Sequence, residues 1–406
     1  MRPALFALAA GLAVANVYTA QPLLDTIAAA FALSPGAAGL VLAVTQIGYG
    51  VGLLALVPLG DALDRRRLIV ALVALSAVAL AVVGAASSRE LLLLGMAAVG
   101  LLAVVAQVLV AYAAALARPH ERGRIVGAVT SGIVVGILLA RTVAGLVTAL
   151  AGWRAVYLGS AVLMLIVVAA LLRGLPADAR PRGRVRYGAL LRSTFALYVD
   201  TPVLRVRGTL ALLTFAGFSV LWASLALELA APPRSLSPAA IGALGLAGAA
   251  GAVAAARAGR LADRGLGDRT TSLALAAMFA AWLPLALVER SLVALVLGLV
   301  ALEVAVQAVH VTNQSVLYTA ESRSRLAGCY MAFYSAGSAA GAVASTATYA
   351  WAGWAGVCAL GAAIGAAALS FWVWVGGEAR MGRAEACSSS SRIASVVSDP
   401  CSSRSS

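Results

Sequence analysis

The segment Gly60-Asp61-Ala62-Leu63-Asp64-Arg65 is matched 199 residues later by Gly259-Arg260-Leu261-Ala262-Asp263-Arg264, so a Gly-x-x-x-Asp-Arg pattern occurs twice. Each copy stands between two long apolar runs. The spacing is close to half of the 406 residues. It therefore indicates that one structural unit occurs twice along the chain.

Other residues recur at nearly the same spacing. Six pairs are offset by 201 residues: Arg122/Arg323, Arg124/Arg325, Gly127/Gly328, Gly136/Gly337, Gly152/Gly353 and Trp153/Trp354. An offset of 203 relates Leu33-Ser34-Pro35 to Leu236-Ser237-Pro238, and Asp25 to Glu228. Arginine, tryptophan and proline in register carry more weight than matching alanines in so apolar a chain. The pattern predicts two repeats that run in the same direction.

The composition predicts an integral membrane protein. The chain is 62% hydrophobic and 11% charged, with a mean hydropathy of +0.96, whereas soluble domains have about a quarter of their residues charged. All 30 basic residues are arginine, and the net charge is +14. These arginines lie in short segments between apolar runs rather than on one basic face, so we expect no nucleic-acid partner. Cys329, Cys358, Cys387 and Cys401 lack metal-ligand spacing, so we expect no disulfide, metal or cofactor.

The apolar runs are long enough for helices that cross a bilayer, which needs about 20 residues. Backbone amides inside the bilayer must bond internally, which favours helices, and the short alternating pattern of barrel strands is missing from the sequence. The run after Arg2 is followed at once by further spans, so we interpret it as a retained first helix and not as a cleaved leader. Twelve spans are predicted: 5–24, 36–59, 68–86, 91–116, 125–149, 155–172, 208–229, 239–258, 271–288, 292–317, 326–350 and 356–375.

The distribution of arginine predicts the orientation. With both termini in the cytoplasm, 25 arginines fall on the cytoplasmic side and four on the outer side, namely Arg89, Arg154, Arg234 and Arg290. Such an excess is what the positive-inside rule describes. The predicted domains are a six-helix bundle at 1–172, an arginine-rich cytoplasmic linker at 173–207, a second bundle at 208–376 and a disordered serine-rich tail at 377–406. Tyr187 to Tyr198 of the linker is either a simple tether or an amphipathic stretch on the membrane surface.

The two parallel six-helix repeats and the duplicated loop together resemble the major facilitator superfamily. Its loop motif reads Gly-x-Leu-Ala-Asp-Arg, and the second copy follows it, whereas the first copy is compressed. The segment Ala15–Leu24 (ANVYTAQPLL) is also similar to bacterial permeases of this superfamily. The resemblance implies an all-α integral membrane fold of twelve transmembrane helices. It also implies a transporter, not an enzyme, in a bacterial inner membrane.

The resemblance implies a conformational gate at the two loops. The glycines would let helix ends approach closely, and the aspartates would contact helix N-termini or arginines. The alternative is that Asp64 only accompanies orienting arginines on a solvated loop. The expected gate residues are Gly60, Asp64, Arg65, Gly259, Asp263 and Arg264.

The chain departs from proton-driven drug exporters of this superfamily at two places. Those proteins carry an arginine in helix 4, where this chain has Gln107 as its most polar side chain. They also carry Gly-x-x-x-Gly-Pro-x-x-Gly-Gly in helix 5, where this chain keeps Gly132 and Gly136 but places Arg141 at the last position. Drug export therefore loses its best support from sequence.

Polar residues inside the apolar spans are the candidate substrate and coupling site, because charge in a bilayer is costly and is retained for function. Arg141 could bind an anionic group of the substrate or pair with Glu303. Glu303 could carry a proton, since removal from water favours a neutral carboxyl group, and His310 could titrate instead. The alternative is a polar stripe satisfied by neighbouring helices. The full set is Arg141, Glu303, Gln307, His310, Asn313, Gln314, Gln107, Asn16, Gln21 and Gln46.

We expect a monomeric secondary active transporter whose halves rock about a site near the middle of the membrane. Without lysine the chain has no Gly-x-x-x-x-Gly-Lys-Ser/Thr loop, so we do not expect ATP to drive it. Its expected partners are the lipid bilayer, a small-molecule substrate and protons as the coupling ion. Export of a small organic solute is the favoured direction. Uptake by a proton-coupled or facilitative permease is the alternative, and a receptor or channel that does not transport actively is a weaker one.

Overall fold

A computed structural model describes residues 3–118, 121–176, 187–288, 290–317 and 323–397, and the regular elements within these ranges are helices. The helices of the first half are α1 (Pro3–Tyr18), α2 (Leu24–Ala30), α3 (Pro35–Ala55), α4 (Leu59–Ala62), α5 (Arg65–Gly84), α6 (Arg89–Ala103), α7 (Val105–Leu116), α8 (Arg122–Ala151) and α9 (Trp153–Gly174).

The second half begins with a helix in the linker. Its elements are α10 (Tyr187–Asp200), α11 (Pro202–Ala230), α12 (Pro238–Ala243), α13 (Gly248–Asp263), α14 (Gly267–Ala280), α15 (Trp282–Leu285), α16 (Leu292–Leu317) and α17 (Arg323–Val397). Short 3₁₀ turns at Gln21–Leu23 and Leu244–Ala247 connect α1 to α2 and α12 to α13.

The predicted helical membrane fold is confirmed. Ten helical segments of the described ranges are long and apolar enough to cross a bilayer. One of them, Leu326–Gly376, holds two predicted spans, and the predicted span 271–288 lies on α14 and α15. Each of the twelve predicted apolar runs therefore lies on helical structure.

Two glycines at equivalent positions of the repeats turn the chain between spans. Gly152 has φ 81° and separates α8 from α9, while Gly353 has φ 60° and breaks α17 between its two spans. A residue with a Cβ is disfavoured at positive φ. A tryptophan follows each glycine, and both Trp153 and Trp354 are buried. The Gly-Trp pairs found in the sequence therefore lie at the turns between the helices of two equivalent pairs.

Close helix contacts also repeat at the same offset. A Cβ on Gly136 of α8 would lie 2.3 Å from the carbonyl oxygen of Gly11 on α1, and one on Gly337 of α17 would lie 2.0 Å from that of Leu212 on α11. Both partners in these contacts are related by 201 residues. Small residues let helix backbones approach in this way within a membrane.

The two halves meet through two further pairs of helices. Helix α3 packs along the first part of α17, where Gly39 lies against Ala342 and Thr346, and Gly50 lies against Ser335. Helix α8 packs on α12 through Gly145 and Gly242, and the Thr142 hydroxyl donates to the Gly242 carbonyl at 3.0 Å.

Arg141 itself takes part in the contact between α8 and α12. A Cβ on Gly242 would lie 2.5 Å from the Arg141 carbonyl oxygen. A Cβ on Gly245 would lie 2.7 Å from the Cβ of Arg141. The backbone of this arginine is therefore part of the interface between the halves.

The linker helix α10 contacts both halves. The Tyr187 hydroxyl donates to the carbonyl of Ala55 at the end of α3, and the Tyr198 hydroxyl donates to the carbonyl of Cys329 on α17. Burial raises the pKa of Tyr198, so its hydroxyl remains a donor. The linker is thus attached to the protein at both of its described ends.

At the end of the chain, helix α17 continues through Val397. The disordered serine-rich tail expected at 377–406 stays a prediction. Residues 398–406 lie outside the described ranges.

A substitution in a glycine contact tests the packing. We expect Gly337→Ala to lower the free energy of unfolding by about 1–3 kcal/mol, because the new methyl group overlaps the Leu212 carbonyl and forces the helices apart. The measurement is the midpoint of thermal unfolding in detergent. Gly159→Ala is the matched control, because a Cβ there meets nothing within 4 Å. Equal midpoints for the two variants would contradict the packing described here.

Candidate functional site

A buried ion pair joins the two halves. Arg141 on α8 donates through Nη1 to Oε1 of Glu303 on α16 at 3.4 Å. The two side chains are 1% and 3% exposed. The pair suggested by the sequence is therefore present, and each half contributes one charge.

Arg141 is held on its other sides by an amide and by aromatic rings. Its Nε donates to Oε1 of Gln21 at 2.6 Å. The guanidinium carbon lies 3.8 Å from the ring centroid of Trp222 and 5.4 Å from those of Tyr18 and Phe218. Cations within about 6 Å of a ring centroid are attracted to the ring face. The aromatic residues of the seventh span therefore contact the charge and do more than fill the core.

One edge of the guanidinium is unsatisfied. Nη2 of Arg141 is buried and makes no hydrogen bond to the described residues. Oε1 of Glu303 accepts a second bond, from Nε1 of Trp222 at 3.2 Å. Oε1 of Glu303 thus accepts two hydrogen bonds, whereas Nη2 of Arg141 could donate to a further acceptor.

A chain of tyrosines forms a second link between the halves. The hydroxyls of Tyr18 on α1 and Tyr334 on α17 are hydrogen-bonded to each other. The ring of Tyr49 on α3 lies 6.5 Å from that of Tyr334, and its hydroxyl accepts from Nε2 of Gln107 at 3.4 Å. Tyr49 and Tyr334 therefore stand between Gln107 and Tyr18, the tyrosine beside Arg141.

His310 belongs to a neighbouring cluster on α16. Its Nδ1 lies 2.9 Å from the Tyr330 hydroxyl and its Nε2 lies 3.1 Å from Nε2 of Gln314. The ring also packs edge-on against Phe215 at 5.0 Å, and Phe215 in turn contacts Tyr334. Glu303 and Gln314, the first and last of the predicted polar site residues on α16, therefore lie in different contacts.

Asn313 faces away from the ion pair. It accepts from Nη1 of Arg207 on α11 at 3.3 Å, and Nη2 of Arg207 pairs with Asp268 on α14 at 3.0 Å. Trp372 covers the guanidinium at 4.7 Å. This cluster ties four helices of the second half together, and its place inside one half indicates a structural role.

The other predicted site residues take separate positions. Asn16 and Gln46 are buried, and Oε1 of Gln46 has no hydrogen-bond partner among the described residues. Gln307 lies beside Gly251 of α13. Within the described residues, none of these three is hydrogen-bonded to Arg141 or Glu303.

The first gate motif organises the turn between α3 and α5. Oδ1 of Asp64 accepts from the backbone N–H of Arg67 at 2.9 Å and caps α5. The buried Arg65 donates through Nε to the Gly60 carbonyl at 2.8 Å and through Nη1 to the Ala111 carbonyl on α7 at 3.5 Å. These contacts hold the loop against α7.

The second motif has another backbone arrangement. Gly259 lies on α13 and Asp263 is the last residue of that helix, which Arg264 terminates. The side chain of Asp263 lies outside the described residues. Although the sequence is closer to the family motif here, the next helix, α14, begins only at Gly267 and has Leu266 at its N-cap position.

Sequence reasoning did not single out Tyr18, Tyr330, Tyr334 or Arg207. The spacing of Tyr330 and Tyr334, four residues apart on one helix face, is the signal that could have found two of them. Arg207 was counted with the orienting arginines because it stands at the edge of an apolar run.

The ion pair predicts a pattern of stabilities. Glu303→Gln should lower the free energy of unfolding by about 3–5 kcal/mol, because it leaves the Arg141 charge buried without its counter-charge. Combining it with Arg141→Met should recover most of the loss. Thermal unfolding of the single and double variants in detergent measures this. A double variant as unstable as the sum of its single changes would show that the charges do not compensate each other.

Comparisons with known proteins agree with this architecture. The model of the Major Facilitator Superfamily matches residues 6–317. The uncharacterized transporter YgaY of Escherichia coli O157:H7 is 46% identical over 374 residues, which cover 92% of this chain and 94% of that protein. The probable transporter SCO4007 of Streptomyces coelicolor is 34% identical over 368 residues, covering 88% and 84% of the two chains.

Solved structures share the fold at low sequence identity. A bacterial homologue of the human lysosomal transporter Spinster, in an inward-facing and occupied conformation, superposes with a TM-score of 0.70 at 14% identity and covers 92% of this chain and 95% of its own. The human organic anion transporter MFSD10 gives 0.67 at 18% identity, covering 91% and 98%. The matched family model, the close relatives and the helical architecture together show that this chain is a multi-pass membrane protein that belongs to the major facilitator superfamily of transporters.

Proposed function

We propose that this chain is a proton-coupled secondary transporter that carries a small organic solute by alternating access. The observation that supports it is the Arg141–Glu303 pair, a buried pair of opposite charges contributed by the two halves. An ionisable pair between rocking halves is where a proton and a solute can influence each other.

Arg141 and Glu303 can separate only if another group neutralises each charge. Separating Arg141 from Glu303 inside the protein leaves two buried charges, each of which costs several kcal/mol. A proton on Glu303 removes one charge, and a solute group at Arg141 can balance the other. Proton and solute binding therefore act on the same contact between the halves.

The direction of transport depends on whether binding of the solute weakens or strengthens binding of the proton. A solute that donates hydrogen bonds to Glu303 would compete with the proton for the carboxylate, which gives exchange and export, the direction expected from the sequence. A solute that binds Arg141 would favour a protonated Glu303, which gives joint movement and uptake. The unused Nη2 of Arg141 favours this second candidate.

The proposed setting is a bacterial inner membrane, with the protein as a monomer and both termini in the cytoplasm. The excess of arginine in the loops on one side supports this orientation. The repeats 1–172 and 208–376 would then rock against each other, and the linker at 173–207 would lie on the cytoplasmic side. The proposed site is centred on Arg141, Glu303 and Gln21, with Gln107 and His310 in the adjoining clusters.

The two loop motifs are the proposed gate. In the first copy Asp64 caps α5 and Arg65 donates to the Ala111 carbonyl of α7, so the loop joins these two helices. A change in the relative positions of the helices would alter the contacts of both residues. Gly60 completes this loop, and Gly259, Asp263 and Arg264 form the corresponding segment of the second half.

Proton movement tests the coupling. In energised inside-out vesicles or proton-loaded liposomes containing the full chain, we expect a transported solute to change the internal pH. Glu303→Gln should abolish this change, because an amide cannot take up a proton. Glu90→Gln is the matched control, since Glu90 pairs with Arg89 at the surface with 64% of its side chain exposed. Solute-dependent proton movement that persists in Glu303→Gln would refute the role of this carboxylate.

A substitution of Asp64 distinguishes its proposed role in the gate from its role as a helix cap. Asparagine caps helices about as well as aspartate, so Asp64→Asn should leave the thermal stability unchanged within about 0.5 kcal/mol while it removes the charge. We expect at least a tenfold lower transport rate in liposomes. Asp64→Ala should lose both the rate and about 1 kcal/mol of stability. Wild-type transport by Asp64→Asn would assign Asp64 to helix capping alone.

A further inference from the structure

The guanidinium of Arg141 has a free edge inside an aromatic enclosure. Nε is engaged by Gln21 and Nη1 by Glu303, whereas Nη2 is buried without a hydrogen bond to the described residues. Trp222 lies 3.8 Å from the guanidinium carbon. Carboxylate and sulfonate groups bind guanidinium edges through paired acceptors, and aromatic rings accept an apolar body.

Charge balance at the pair then selects the solute. In the structure the arginine and the glutamate cancel each other. A bound monoanion leaves the site with one excess negative charge, and one proton taken up by Glu303 from water restores neutrality. A cation would leave one excess positive charge, and the site has no proton to release in compensation, because arginine remains protonated in proteins. A buried uncompensated charge is strongly unfavourable.

The other titratable groups near the pair do not replace Glu303. Tyr18 on α1, Tyr334 on α17 and Tyr49 on α3 are neutral phenols at ordinary pH. His310, two turns along α16, is bonded to Tyr330 and Gln314 and not to the ion pair. Proton uptake linked to an anion at Arg141 therefore falls on Glu303.

We propose that the solute is an organic monoanion with an apolar or aromatic body, and that it moves together with one proton as an electroneutral pair. Its acidic group binds Arg141 and replaces Glu303, which is then protonated. The inference rests on the proposed transport function and commits it to the uptake candidate, because protons run inward across an energised inner membrane.

Binding of charged probes to the purified full chain tests the solute class. Benzenesulfonate, benzenesulfonamide and phenyltrimethylammonium have similar rings and carry a negative, a zero and a positive charge. We expect benzenesulfonate to bind, by calorimetry and by a raised unfolding midpoint, at least tenfold more tightly than the other two. Arg141→Met with Glu303→Gln, which has neither charge, should lose this preference.

The pH dependence tests the proton. In the wild type, the affinity for benzenesulfonate should rise as pH falls from 8 to 5, by up to about tenfold for each pH unit, since one proton is bound with the anion. Glu303→Gln imitates the protonated form and should bind the anion tightly at every pH. His310→Gln should keep the wild-type dependence. Because Glu303→Gln is expected to be less stable, the wild-type series provides the test without it.

Three results would overturn the inference. They are equal or tighter binding of the cation, affinity for the anion that is independent of pH in the wild type, and a pH dependence that disappears in His310→Gln. Solute counterflow in liposomes distinguishes these failures from failure of the transport function. Counterflow of a cation would support the transport function and refute the anion as the solute. Binding of the anion without any exchange would support the anion and refute the transport function.

Discussion

Removing a charge from water is costly, and this cost governs the arrangement of the residues between the two halves. Arg141 and Glu303 are almost completely enclosed, so each is stable only beside the other. One lies in each half of the chain. The pair therefore does two things at once: it neutralises the centre of the protein and holds the halves together at that level. Gln21 accepts a hydrogen bond from Arg141, Trp222 donates one to Glu303, and the Trp222 ring lies against the guanidinium.

The sequence predicts the architecture well because membrane folding depends on length and hydrophobicity. Each apolar run lies on a helix, and residues related by 201 positions take equivalent roles. Gly152 and Gly353 both turn the chain, and Gly136 and Gly337 both admit a neighbouring backbone. These features follow from local rules, namely a glycine for positive φ and a small side chain for a close contact.

The candidate site is predicted less completely because it depends on distances between the repeats. Arg141 and Glu303 stand out as charges in apolar spans, and their pairing could be suggested. The bond between Tyr18 and Tyr334 joins residues 316 positions apart and leaves no local signal. Asn313 lies on α16, as Glu303 does, but its side chain accepts a hydrogen bond from Arg207 within the second half, a contact that its place in the sequence does not indicate.

The position of Arg141 on the interface between α8 and α12 has a mechanical consequence. Its side chain holds the charge, while its carbonyl and Cβ lie against Gly242 and Gly245 with no room for a methyl group between them. The side chain that carries the charge and the backbone that contacts the other half therefore belong to the same residue. No intermediate side chain is needed to connect them. Any force that draws the guanidinium towards a new partner acts directly on the seam between the halves. Because Gly242 and Gly245 leave no free space beside Arg141, a displacement of its backbone would press directly on the other half.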